Sequence, residues 1–162
     1  MRAHLLVSIL GLVALQCSCA TTTTESDELC RQIARFANYS PTGAPRTVRL
    51  TTDWGGVFSS TNVMAEKACL HGADKAGKAL CAYLLNDTST EFAAVNYRRA
   101  LTCIGRESPG LSPTDDELLP PSASSSVVDG RPVRAHVTVR FTPGTRSNPP
   151  ALSISTGEVP TT

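Results

Sequence analysis

Aromatic residues are scarce in this 162-residue chain, making up 5% of it, with one tryptophan (Trp54), three tyrosines and four phenylalanines. Neither sign of charge dominates, because 15 Lys and Arg stand against 14 Asp and Glu for a formal net charge of +1. A nucleic-acid-binding domain ordinarily shows a basic excess, so no nucleic-acid partner is expected. Histidine is rarer still. Beyond residue 20 only His71 and His136 occur, and no C-x-x-C pair accompanies them. A structural or catalytic zinc needs three or four converging ligands, so no metal is expected, nor any other cofactor. There is no G-x-S-x-G elbow, and a nucleophilic Ser or Cys needs a base beside it. The balance leans away from an enzyme.

Long apolar runs are confined to the start of the chain. Arg2 precedes the run Leu5–Leu15, which leads to Ser18-Cys19-Ala20, with small residues where a signal peptidase requires them. The run is too short and wrongly flanked for a membrane span. Residues 1–20 read as a secretory signal peptide. Removing them leaves 142 residues, with 14 charges of each sign because Arg2 leaves too. That length is one ordinary domain, so residues 21–162 are expected to be a single exported unit, periplasmic or extracellular. A membrane enters only if Cys17 or Cys19 carries a lipid. Gln16 sits three before Cys19 and directly before Cys17, which departs from the lipoprotein pattern and favours free release.

Periodicity supplies the elements. Leu29, Cys30, Ile33, Phe36 and Ala37 recur at helical spacing behind the acidic Glu25 and Asp27, predicting a helix over 25–38. Val48, Leu50, Thr52 and Trp54 alternate with Thr47, Arg49, Thr51 and Asp53, predicting a strand over 46–54. The stretch 62–70 contains Met64-Ala65-Glu66-Lys67-Ala68, which suits a short helix better than a strand. Asp74 caps a helix over 74–85. Thr88-Ser89-Thr90-Glu91 has the form of a capping box opening a helix over 89–104. So short a connection implies an αα-hairpin. Residues 105–131 are rich in Pro and Ser and read as a long loop. Val133, Ala135, Val137, Val139 and Phe141 then alternate with Arg134, His136, Thr138 and Arg140, a strand over 132–142 whose hairpin partner is 151–155. The fold class is α+β: a small antiparallel sheet of about three to four strands with three helices, stabilised by disulfides.

An exported chain places Cys30, Cys69, Cys81 and Cys103 where disulfides persist. Within a helical hairpin, Cys81 and Cys103 lie about 13 Å apart in axial level, too far for a bridge that needs Cα atoms within about 7 Å. The expected pairs are therefore Cys69–Cys103 and Cys30–Cys81.

The residues with most binding potential are Arg49, Arg134, His136 and Arg140, which form a basic stripe if both strands share one sheet face. Trp54, before Gly55-Gly56, adds a ring that either closes the core or lines a groove. His71 and Asp74 read as a loop residue and a helix cap rather than a catalytic pair. Asp53, Glu66 and Glu91 are the carboxylates a hydrolase would need. Three readings follow. The first is an exported, non-enzymatic binding protein of the inhibitor or immunity type, with a protein partner on its sheet face. The second is a lipid-anchored accessory protein of the cell envelope. The third is a secreted hydrolase with a carboxylate site.

Overall fold

The computed structural model describes residues 24–39, 44–54, 65–88, 93–105, 120–145 and 147–157, without the side chains of 24–27 and of Trp54. Residues 1–20, read above as a signal peptide and containing Cys17 and Cys19, the expected cap residues Ser89 to Glu91 and most of 105–131 lie outside it. Among the described residues three helices, α1 (Thr24–Asn38), α2 (Lys75–Asn86) and α3 (Ala93–Cys103), accompany five strands. These are β1 (Arg46–Trp54), β2 (Ala65–His71), β3 (Ser122–Val128), β4 (Arg131–Thr142) and β5 (Ala151–Gly157). All pairings are antiparallel, in the order β2-β1-β5-β4-β3.

Alternation decides which face is covered. Val48 and Leu50 of β1, Leu152 and Ile154 of β5, and Val137, Val139 and Phe141 of β4 are buried on one side. The helices lie on that side, with Leu29, Ile33 and Phe36 of α1, Leu80 and Leu84 of α2, and Tyr97 and Leu101 of α3 completing one core. α2 covers β1 and β2, α1 and α3 cover β4 and β5, and α1 is the shared neighbour of the other two helices. The fold is thus α+β, as the periodicity implies.

Two strands occupy segments read otherwise. β2 replaces the short helix expected over 62–70, although Ala, Glu and Lys favour a helix. Its alternation is disguised because an inward position carries Lys67, and pairing with β1 along the full strand overrides local preference. β3 runs through the expected loop 105–131, so the sheet has five strands rather than three to four. Its serines mask it, but the turn after it is legible. Asp129 and Gly130 have φ of 52° and 70°, and Val128 pairs with Arg131. Asp-Gly as a two-residue turn with both φ positive is the strongest short hairpin signal.

The disulfides also differ from expectation. Cys30 bonds Cys103 and Cys69 bonds Cys81, with Cα atoms 5.0 and 5.6 Å apart, in place of Cys69–Cys103 and Cys30–Cys81. The reason is the strand at 65–71. Cys69 lies two residues before the end of β2, about 7 Å back along it. Cys81 lies six residues into α2, about 9 Å along the helix. As α2 folds back over β2 the two reach one level, while α3 docks on α1 and brings Cys103 to Cys30. Two disulfides fit a non-reducing, exported location, and no helix among the described residues is long and apolar enough to cross a membrane.

Polar clamps fix the helices over the sheet. Arg46 donates to Asp74 at 2.9 Å and to the Phe36 carbonyl, and lies over the Phe36 ring, 4.6 Å from its centroid. One strand residue thus ties the end of α1 to the start of α2. Asp74 caps α2 by accepting from the Gly77 N–H at 2.7 Å. At the far end of α2, the Lys67 ammonium donates to the Thr88 carbonyl at 2.8 Å, the Leu84 carbonyl at 3.1 Å and the Thr88 hydroxyl at 3.2 Å. A cation there meets the unsatisfied carbonyls and the negative end of the helix dipole. Burial lowers the Lys67 pKa from its ordinary value. The Thr88 hydroxyl donates back to the Leu84 carbonyl at 2.6 Å, so Thr88 helps close α2, while the rest of the expected capping box lies outside the described residues. The N–H of Ala93, which opens α3, instead donates to the inward hydroxyl of Thr52 at 3.1 Å.

Candidate binding face

The sheet face away from the helices is built by the residues that alternate with the core. Register aligns them in rows across the strands. One row crosses all five: Leu70 of β2, Arg49 of β1, Ser153 of β5, Arg140 of β4 and Ser122 of β3. With strands about 4.8 Å apart, the two arginines stand about 10 Å from each other on either side of Ser153. Both are exposed, and Leu70 retains 69% of its surface. The next row is entirely hydroxylic: Thr47, Ser155, Thr138 and Ser124. Thr47 lies 3.0 Å from Ser155 and Ser124 lies 2.9 Å from Thr138, so the hydroxyls bond in pairs along the row.

Of the expected stripe, Arg49 and Arg140 share a row, and His136 stands on the same face opposite Gly157. His136 Nδ1 lies 3.1 Å from the Ser126 hydroxyl and is half-buried. Arg134 is exposed and follows Val133, which packs against the core. The pairing with β3 shifts register beside it, since Ser125 pairs with Val137 but Val127 with Pro132, and its N–H donates to Asn38 of α1 at 2.9 Å. Trp54 ends β1 in phase with Val48 and Leu50; its side chain lies outside the described residues.

No acidic residue occurs in β3, β4 or β5. The acids of the outer face gather at one corner, where Asp53 of β1 is opposite Glu66 of β2. Facing like charges oppose each other across strands, and that juxtaposition by itself assigns no chemistry. Glu91 lies outside the described residues. His71 Nδ1 is 2.6 Å from the Gly72 carbonyl, while Asp74 is held by Arg46 and the Gly77 N–H. The two form no catalytic pair. Among the described residues, no three His, Cys, Asp or Glu side chains converge as a metal site.

The hydroxyl row and Leu70 were not foreseeable as parts of a site. Ser/Thr alternation at 122–126 and 153–155 was the available signal, but the row depends on register between strands distant in sequence. Compared with known protein families, with curated proteins and with solved structures, the chain matches none.

Proposed function

We propose that this is an exported, non-enzymatic binding protein, of the inhibitor or immunity type, that holds an acidic surface of a protein partner on the outer face of its sheet. The observation that carries the reading is the row Leu70–Arg49–Ser153–Arg140–Ser122. Exposed arginines on strands about 10 Å apart fit carboxylates on a facing surface, since arginine pairs carboxylates through a planar fork of donors. Leu70 offers an apolar contact at the rim, which a protein surface can cover. The short hydroxyls between the arginines keep the face flat and supply hydrogen bonds without blocking approach. Two disulfides suit function outside the cytoplasm.

The reading is tested by affinity capture from the envelope and culture fluid of the producing cell, with the wild-type protein and the Arg49→Glu/Arg140→Glu variant as baits. A partner retained by the wild type at low salt, released by salt and lost with the variant is expected. Equal recovery by both baits would overturn it. Intact mass of the exported protein accompanies the capture: a mature N-terminus at Thr21 is expected, whereas a diacylglycerol adduct on Cys17 or Cys19 would make it an anchored envelope protein.

A further inference from the structure

The helix layer carries a recess that the sheet face does not use. Between α1 and α2, where α2 presents the methyl groups of Ala76 and Ala79, lies a groove of about 510 Å³. Gln32, Arg35, Asn38 and Tyr39 form the α1 side, and Lys75 joins the two alanines on the α2 side. The walls are mostly carbon: alanine methyls, the stems of Arg35 and Lys75, and the Tyr39 ring, which is 47% exposed. That volume lies within the range of small-molecule sites, which combine apolar walls with a few polar groups.

Among the described residues, the charge on this groove has one sign. Arg35 and Lys75 stand on opposite walls, and among the described residues no Asp or Glu lines it and neither cation forms an ion pair. The carboxylates flanking it in sequence are engaged elsewhere. Asp74, before Lys75, is held by Arg46 and the Gly77 N–H. Glu28, one turn before Gln32, takes the Arg31 guanidinium and a 2.6 Å hydrogen bond from Gln32. An apolar trough between two unpaired cations complements a molecule with an apolar body and one anionic head.

We propose that this groove binds a small amphiphilic carboxylate, a medium-chain alkanoate or its equivalent. The head lies between Arg35 and Lys75, and the chain lies along Ala76, Ala79 and the face of Tyr39. Binding is reversible, and the site is separate from the sheet face.

The test uses the full exported chain and two probes, the fluorescent anion anilinonaphthalene sulfonate and decanoate. Decanoate should displace the fluorophore, and decanol, with the same chain and no charge, should do so at least about tenfold less well. Arg35→Glu/Lys75→Glu should weaken decanoate by a similar factor, and Ala79→Trp, which fills the floor from an exposed position, should abolish displacement. Arg49→Glu/Arg140→Glu should leave it unchanged, which separates this site from the sheet face. Amide chemical shifts of the unsubstituted protein give a check that needs no variant: decanoate should move the signals of Ala76, Ala79 and Tyr39. Equal displacement by decanol, no displacement by decanoate, unaltered binding by Ala79→Trp, or shifts confined to other residues would each overturn the proposal.

Discussion

Lys67 and Thr52 face each other across β2 and β1, and together they hold both ends of the joint between α2 and α3. Lys67 closes the last carbonyls of α2 through Thr88, and Thr52 accepts the first N–H of α3 from Ala93. A polar pair at inward strand positions thus does for two helix termini what capping residues within the helices ordinarily do. Lys67→Met should destabilise by about 1–2 kcal/mol, the range for a charged hydrogen bond at a partly exposed helix end. Thr52→Val leaves a buried N–H without an acceptor and should cost about 1–3 kcal/mol. Because one joint depends on both, the double variant should lose less than the sum. Urea unfolding of the four proteins checks this, and strict additivity would separate the two caps.

Gly77 illustrates a glycine required by a neighbour. A Cβ there would lie 2.7 Å from Asp74 Oδ2 and 3.3 Å from its Cγ, and that carboxylate is fixed by Arg46. In an open helix, replacing Gly with Ala stabilises by up to about 1 kcal/mol. Gly77→Ala should do the opposite and cost about 1 kcal/mol, by unseating the Asp74 cap. A thermal midpoint lower than wild type is the expected measurement.

The two disulfides close loops of very different length, 73 residues for Cys30–Cys103 and 12 for Cys69–Cys81. The chain-entropy relation gives about 4 and about 3 kcal/mol respectively. Cys30→Ala/Cys103→Ala should therefore unfold at lower denaturant than Cys69→Ala/Cys81→Ala. Peptide mapping under non-reducing conditions should recover only these two linkages.

Alkaline pH separates two groups whose pKa values burial shifts in opposite directions. The Tyr97 hydroxyl donates to the Pro120 carbonyl beneath the stacked Phe141 ring, and burial raises its pKa above the ordinary 10.0. The native state keeps that proton where the unfolded chain has lost it, so stability falls as pH rises past 10.0. Lys67 acts in reverse. Its pKa is lowered below 10.5, so the native state releases its proton first and stability gains until pH passes that value. Urea midpoints between about pH 8 and 11 should decline less steeply for Tyr97→Phe than for wild type, and more steeply for Lys67→Met.

Legibility followed the physics of each element. β4 was plain because its inward positions are all apolar and its outward positions all polar. β2 was obscured by a lysine pointing inward, and the error spread to the disulfides, since only a strand there brings Cys69 to Cys81. β3 was hidden by serines on both faces, although Asp129-Gly130 marked its turn. On the candidate face, Arg49 and Arg140 were visible as outward residues. Their alignment through Ser153 was not, because it depends on β5 inserting between β1 and β4, a pairing between segments a hundred residues apart.

The most direct measurement is site-specific photocrosslinking in the producing cell, with a photoreactive residue at Ser153, between the two arginines, or at Ala82 on the exposed side of α2. A discrete adduct from Ser153, absent from Ala82 and lost when Arg49 and Arg140 are both changed to Glu, is the expected result. Adducts from Ala82 with none from Ser153, or a Ser153 adduct indifferent to the charge reversal, would contradict an acidic protein partner on the sheet face.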